Sequence, residues 1–291
     1  MRRTRLLRTL LAIPALTLAL TAMRPVGPAP DTATATPGTA AAAPDTAITP
    51  AAATDTAAAP VRIMPLGDSI TGSPGCWRAV LWNKLQSTGY TSVDFVGTLG
   101  PQGCGVPYDG DNEGHGGFLA TAVAQQNQLP GWLSATHPDI VVMHFGTNDV
   151  WSNIAPDRIL AAYSTLVDQM RQSNPNMKVL VAQILPMNPG SCPECAARVT
   201  ALNARIPGWA AAKSTSRSPV IAVDQWSGFS TATDTYDGVH PNASGDDKIA
   251  ARWYPALTKL LTPGLTDRAA GALRADDASV AATAEEATVH R

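Results

Sequence analysis

Ser69, Asp237 and His240 are the residue types that acyl transfer needs, at spacings that can supply it. Ser69 ends the run Arg62-Ile63-Met64-Pro65-Leu66-Gly67-Asp68-Ser69, an apolar stretch leading into a turn. Far downstream, Asp237-Gly238-Val239-His240-Pro241 holds an acid and a base three residues apart. A serine hydroxyl can attack a carbonyl carbon while an imidazole takes its proton. A nearby carboxylate then fixes the imidazole tautomer and stabilises its charged form. Plainer roles exist: Ser69 could cap the helix that follows it, and His240 could stand in a surface loop. The Gly-Asp before Ser69 and the aspartate three residues before His240 favour chemistry.

For these groups to meet, the chain must bring distant segments to one edge. Short apolar runs with β-branched residues predict strands at Val61–Leu66, Ser92–Leu99, Asp139–Phe145, Lys178–Leu185 and Pro219–Val223, the pattern of strands covered on both faces. Helical patterns fall between them. One is Trp77–Leu85; a second is Pro156–Arg171, where Ile159, Leu160, Tyr163, Leu166, Val167 and Met170 share a face. A third is Ala196–Ala212, with a break at Pro207-Gly208. Asn242 is placed to cap a last helix carrying Ile249, Trp253, Leu257 and Leu260, bent by Pro255. This alternation predicts an α/β fold, a parallel sheet of about five strands between two helical layers with right-handed crossovers. Such sheets bind ligands beyond the carboxyl ends of their strands. Gly67-Asp68-Ser69 follows the first strand, Gly146-Thr147-Asn148-Asp149 follows the third, and His240 precedes the last helix. All three segments therefore belong to one edge of the sheet.

Composition assigns the rest of the 291-residue chain. Arg2, Arg3, Arg5 and Arg8 precede an apolar stretch from Leu10 to Ala22, as in a secretory signal peptide over residues 1–23. The stretch is short for a membrane span, so no stable membrane anchor is expected once it is removed. The Arg2-Arg3 pair leaves twin-arginine export open beside general secretion, which Arg5 favours. Residues 24–60 are nearly all Ala, Thr, Pro and Asp, the composition of a disordered linker. Residues 264–291 form a second Ala-rich, low-complexity tail, which leaves 61–263 as one domain with a core. The net charge is −2, and loss of the four leader arginines makes the mature chain four units more negative. A mildly acidic protein without a basic stripe excludes nucleic acid as a partner. Four cysteines in an exported chain predict two disulfides. Of three connectivities, Cys76–Cys104 with Cys192–Cys195 is favoured. A zinc site would need a second close pair or nearby histidines, and neither accompanies Cys192-Pro193-Glu194-Cys195. A redox role for that pair stays open, although no thioredoxin-like unit surrounds it.

With these segments in place, the chain resembles the GDSL or SGNH hydrolase superfamily. Gly67-Asp68-Ser69-Ile70-Thr71 matches its nucleophile block, Gly146-Thr147-Asn148-Asp149 its asparagine block, and Asp237-Gly238-Val239-His240-Pro241 its terminal acid–base block. Glu113-Gly114-His115-Gly116-Gly117-Phe118 stands where the glycine block belongs, with Gly117 as the functional glycine and Gly114 and Gly116 as rivals. Four blocks in order are a specific signal where a lone Gly-Asp-Ser is not. The resemblance implies a flavodoxin-like α/β/α sandwich that hydrolyses esters. It implies Ser69 as nucleophile, His240 as general base and then acid, and Asp237 as the group that orients His240. The oxyanion would be met by the N–H groups of Ser69 and Gly117 and by the Asn148 amide. No cofactor and no metal enter this scheme.

Gly75-Cys76-Trp77-Arg78 and Asn112-Glu113-Gly114-His115-Gly116-Gly117 also resemble the third family of carbohydrate esterases, whose members deacetylate xylan and related polysaccharides. The expected substrate is then an acetylated polysaccharide, with Trp151 as a sugar-stacking platform. Two other readings compete. One is a lipase or lysophospholipase of the same superfamily. The other is a carbohydrate-binding protein on a hydrolase fold, which would have no need of Ser69, Asp237 and His240 together.

Overall fold

Strands form in this chain because both phases of a two-residue period are apolar and both find a layer to bury them. In a computed structural model, which describes residues 59–261, β1 (Val61–Gly67) lies inside a six-stranded sheet. β2 (Val93–Phe95), β3 (Glu113–Gly114) and β4 (Ile140–His144) pair with it, and β5 (Lys178–Gln183) and β6 (Val220–Asp224) extend the sheet beyond β4. Every pairing is parallel, in the order β2-β1-β4-β5-β6. Ile63, Ile140, Val142 and Leu180 point to one layer. Their chain neighbours Met64, Val141, Met143, Val179 and Val181 point to the other. The first layer holds α2 (Trp77–Ser87) and α9 (Ala243–Leu261), whose Trp77, Leu81, Trp253 and Leu257 are buried there. The second holds α3 (Ala120–Gln125), α4 (Leu129–Thr136), α6 (Pro156–Ser173), α7 (Cys195–Asn203) and α8 (Ile206–Lys213). This is the α/β sandwich that the alternation predicts. Among the described residues no helix is long and apolar enough to cross a membrane.

From β1 the chain runs outward to β2 and later returns to β4 on the other side of β1. At such a reversal a crevice opens past the strand ends. Two one-turn helices start there, α1 (Ser69–Gly72) after β1 and α5 (Thr147–Trp151) after β4.

Several elements depart from the expected ones. β2 stops at Phe95 instead of Leu99. The chain then turns away from β1: the Thr98 N–H and hydroxyl donate to the Glu113 carboxylate, both at 2.8 Å, and Leu99 pairs antiparallel with Asn112. That detour delivers β3, a sixth strand too short to announce itself, which takes over the edge of β1 where β2 leaves it, Leu66 opposite Glu113 and Gly67 opposite Gly114. The helix expected over Ala196–Ala212 is two helices separated at Ala204-Arg205. Pro207 does not break a helix but starts α8, where its missing N–H costs nothing. The helices α3 and α4 carry too weak a period to be read from sequence. Both expected disulfides are present, Cys76–Cys104 and Cys192–Cys195. The leader at 1–23, nearly all of the linker at 24–60 and the tail at 264–291 lie outside the described residues.

Two contacts lock α2 and α9 to the active edge. The Arg78 guanidinium is fully buried without a carboxylate on it and donates instead to the carbonyls of Thr71 (2.8 Å), Gly110 (2.5 Å) and Pro74 (3.1 Å). It thereby fixes the segment just past α1. Asn242 caps α9 as expected, accepting the Gly245 N–H at 3.2 Å. In the first turn of α9, Asp246 accepts the Trp77 N–H at 2.9 Å and so caps α2 across the interface. Burial pushes the Asp246 carboxyl up to about 7, against the opposing pull of the Trp77 N–H. A carboxyl whose folded value is raised holds its proton more tightly in the folded protein. Its stabilising contribution is complete below the ordinary value of 3.8 and is lost as pH climbs toward 7. Asp246→Asn, which keeps an oxygen for the Trp77 N–H, is therefore expected to melt higher than the parent at about pH 8 and to lose that advantage at about pH 4. Thermal melts at the two pH values check this, and an equal shift at both would refute it.

Candidate active site

β1 ends in a cap built for the next residue. Asp68 is extended and its carboxylate accepts the Ile70 N–H at 3.0 Å, which starts α1 and places Ser69 in its first position. The Ser69 N–H is thus among the unpaired donors of a helix start, beside its own half-buried hydroxyl. Ser69 Oγ lies 2.9 Å from His240 Nε2, across 171 residues of chain. His240 Nδ1 lies 2.7 Å from Asp237 Oδ2. The other Asp237 oxygen accepts the backbone N–H groups of Val239 (2.9 Å) and His240 (2.7 Å), so the loop holds its own carboxylate in place. Burial alone would raise the Asp237 carboxyl, but the hydrogen bonds from His240 and Val239 outweigh it and the net shift is downward. Asp237 is ionised at neutral pH. With Nδ1 donating to that carboxylate, Nε2 is left unprotonated and faces the serine hydroxyl. The sequence separates Ser69 widely from Asp237 and His240; the structure brings them together.

The rim opposite His240 comes from the glycine-rich loop and α5. The Phe118 N–H donates to the His115 carbonyl at 3.1 Å, closing a turn whose third residue, Gly117, has φ of +78°, a position that favours glycine. A Cβ placed on Gly116 would lie 3.9 Å from the Ser69 Cβ, so this turn passes beside the serine. Of the three glycines considered, Gly114 is consumed by the fold, since it is buried and its N–H donates to Asn112 Oδ1 at 2.9 Å. Gly116 and Gly117 are both exposed. Asn148 sits in the first turn of α5 and donates from Nδ2 to the Phe118 carbonyl at 3.0 Å, which ties its amide to the same turn. Trp151 lies three residues on, at the end of α5, and is 37% exposed.

Other residues give the rim its rigidity; the sequence marked His115 and His144 as packing or hydrogen-bonding residues and assigned no part to Asp149 and Glu113. Asp149 is fully buried and accepts from the Ala120 N–H (2.8 Å), the Thr121 N–H (3.0 Å) and the Thr121 hydroxyl (2.6 Å). It caps α3 from α5 and so sets where the glycine turn ends relative to Asn148. Its place next to Asn148 in one motif was the available signal. Glu113 is buried and holds His115 at 2.5 Å, while the His115 ring stacks between Trp132 (4.4 Å) and Phe118 (4.8 Å). His115 thus serves the turn, not a ligand. His144 is also structural: its Nε2 accepts the Leu185 N–H at 3.1 Å, and burial lowers its value to about 4, which keeps it neutral. Tyr236 is the aromatic group that sequence reasoning passed over. It is 62% exposed, and its ring lies over the His240 imidazole with centroids 5.7 Å apart and 13° between planes.

Asp68, next to the serine, behaves opposite to Asp237. Burial pushes its carboxyl up to about 6, against the Ile70 N–H that it accepts. A hydrogen bond from Thr147 also pulls the value down without offsetting burial, and the Thr71 hydroxyl close by is buried without a partner. Among the described residues no cluster of His, Cys, Asp and Glu is arranged to hold a metal ion.

Comparison with known proteins agrees with this geometry. The model of the GDSL-like Lipase/Acylhydrolase family matches residues 66–248, a span that contains Ser69, Gly117, Asn148, Asp237 and His240. A multidomain esterase of Ruminococcus flavefaciens is 32% identical over 224 residues, which cover 69% of this chain but 29% of that protein. The chain therefore spans less than a third of the length of that relative. The crystal structure of a serine-to-alanine mutant of an acetyl esterase, with acetate ion, is similar at 37% identity and a TM-score of 0.63, covering 69% of this chain and 97% of that one. A carbohydrate esterase of family 3 from Talaromyces cellulolyticus is 37% identical with a TM-score of 0.64, over 70% of this chain and 99% of that one. The family model covers well over half of the chain, including the segments that carry Ser69, Asn148 and His240. The chain belongs to the GDSL-like lipase/acylhydrolase family.

Proposed function

We propose that this protein is a secreted serine esterase that removes acetyl groups from polysaccharide such as xylan. The observation that carries the reading is the continuous hydrogen-bond path from Ser69 Oγ through His240 to an ionised Asp237. In the proposed reaction, Ser69 Oγ attacks the acetyl carbonyl carbon as His240 Nε2 takes its proton. The oxyanion is met by the N–H groups of Ser69 and Gly117 and by the Asn148 amide, donors fixed before substrate arrives. His240 returns the proton to the departing sugar oxygen, leaving an acetyl ester on Ser69. A water then gives its proton to His240 and attacks that ester, and acetate and the free serine hydroxyl are restored. Asp237 stays ionised throughout and balances the imidazolium.

The substrate class rests on likeness to an acetyl esterase and to a family 3 carbohydrate esterase. Trp151, exposed one helical turn from Asn148, is the proposed sugar-stacking face beside the reacting group. Secretion is supported by the two disulfides, which persist in oxidising compartments.

Ser69→Ala is expected to abolish ester hydrolysis without lowering Tm appreciably, since the lost atom sits at a half-buried helix start. A serine-directed phosphonate should label the parent at Ser69, and turnover by the variant near the parent's rate would sink the serine mechanism. Asn148→Ala is expected to lower kcat by about 100-fold with little change in KM, because an oxyanion exists only in the transition state. A change confined to KM would make Asn148 a substrate-binding residue instead. Acetyl esters are expected to be cleaved faster than esters of about eight carbons or more, since a long chain left in water gains none of the roughly 0.8 kcal/mol per methylene that a deep pocket supplies. A series of kcat/KM against chain length, followed by acetate release from acetylated xylan, tests the substrate class. A maximum at long chains would select the lipase reading.

A further inference from the structure

β6 runs out of the sheet on the same edge as Ser69 and leads at once into an aromatic residue that the reaction does not use. Trp226 is 37% exposed and lines a cleft of about 400 Å³ with Pro186, Ala196, Thr200 and Phe229. The cleft lies between α7, which supplies Ala196 and Thr200, and the loop after β6. The residues lining it are uncharged. We infer that this cleft is a second sugar-binding subsite, with Trp226 as its stacking platform, for a polysaccharide chain whose acetyl group is presented to Ser69. The inference rests on the polysaccharide reading above and extends it to a place that reading does not reach.

The loop is built to hold Trp226 still. The Asp224 carboxylate accepts the N–H groups of both Trp226 (2.9 Å) and Ser227 (2.8 Å). Arg252 donates to the carbonyls of Asp224 and Ser227, and Lys248 to that of Gly228 at 3.1 Å. The Phe229 N–H closes the turn on the Trp226 carbonyl at 3.3 Å. These bonds fix the backbone that carries the partly exposed ring, so little loop freedom remains to be lost on binding. An uncharged lining with the broad aromatic face of Trp226 suits a neutral ring that is apolar on its faces. A sugar ring has that form.

The chain after β5 ties one wall of the cleft to the loop of Asp237 and His240. Pro186 stands in the segment after β5, and two residues on, the Asn188 N–H donates to the Gly238 carbonyl between Asp237 and His240 at 2.8 Å. Laterally, β1 and β6 are separated by β4 and β5, three strand spacings or about 14 Å. A substrate that touches both Ser69 and Trp226 must therefore be longer than one sugar ring. A small ester engages Ser69 alone.

The test compares acetylated xylo-oligosaccharides of increasing length with 4-nitrophenyl acetate as substrates for the parent, Trp226→Ala and Trp226→Phe. In Trp226→Ala the ratio of kcat/KM on the long oligosaccharide to that on the small ester is expected to fall by about fivefold or more, the loss of one strong contact, while Trp226→Phe keeps most of it. Titration of unacetylated xylohexaose into the parent and Trp226→Ala should show the same fall in affinity. A ratio and an affinity that do not change in Trp226→Ala would overturn the subsite while leaving the esterase intact. If the parent cleaves 4-nitrophenyl acetate but neither cleaves acetylated xylo-oligosaccharides nor binds xylohexaose, the polysaccharide reading and the subsite fall together.

Discussion

The site depends on one close approach of backbone to backbone. Gly72, at the end of the nucleophile helix, lies against Gly114 of β3 so tightly that a Cβ on Gly72 would meet the Gly114 carbonyl oxygen at 1.9 Å. A Cβ on Gly114 would meet the Gly72 nitrogen at 2.4 Å. With a side chain on either, α1 and β3 would separate, and the turn at Gly116-Gly117 would move away from Ser69. Everything on that side follows from the contact. β3 can pair with the last residues of β1, the turn emerges beside the serine, and α3 begins where Asp149 can cap it. Since Asp149 adjoins Asn148, the serine, the turn and the carboxamide are set by one chain of short contacts.

The opposite side is held by charge and hydrogen bonding. Asp237 and Asp68 are both near His240, and their surroundings send them in opposite directions. Asp237 is exposed enough to keep its charge and receives N–H bonds from its own loop and the imidazole. Asp68 is enclosed and is held toward its neutral form. The fold thus keeps a full negative charge beside the imidazole, where an imidazolium would be stabilised, and resists a second one beside Ser69. Asp246 shows the same economy at a distance: a buried carboxyl tolerated because its oxygen caps α2 and fastens the serine half of the site to the histidine half.

Tyr236 and Trp226 present exposed aromatic faces beyond the Ser69–His240 contact. One lies over the imidazole, and the other waits at the end of β6 on a loop braced by Asp224, Arg252 and Lys248. Both belong to turns whose polar bonds fix the backbone and leave an aromatic face in water.

Much of this protein was legible in its sequence. Continuous apolar runs located β1, β4 and β5, because burial on two sides leaves little room for polar residues. The order of those runs put Ser69, Asn148 and His240 on one edge, because parallel strands joined by helices must all end on the same side. The spacing of Asp237 and His240 was enough for their pairing, since a carboxylate three residues back reaches the imidazole within one loop. Tertiary structure alone decided the rest. The detour of Thr98 onto Glu113, the two-residue β3 and the Gly72–Gly114 contact are made between segments that share no period and no motif. So are the cap that Asp149 gives α3 and the cleft beside Trp226. Local pattern reports what a residue does to its own strand or helix. It is silent on a backbone packed against a backbone or a carboxylate that caps another helix, because those energies exist only once the two segments have met.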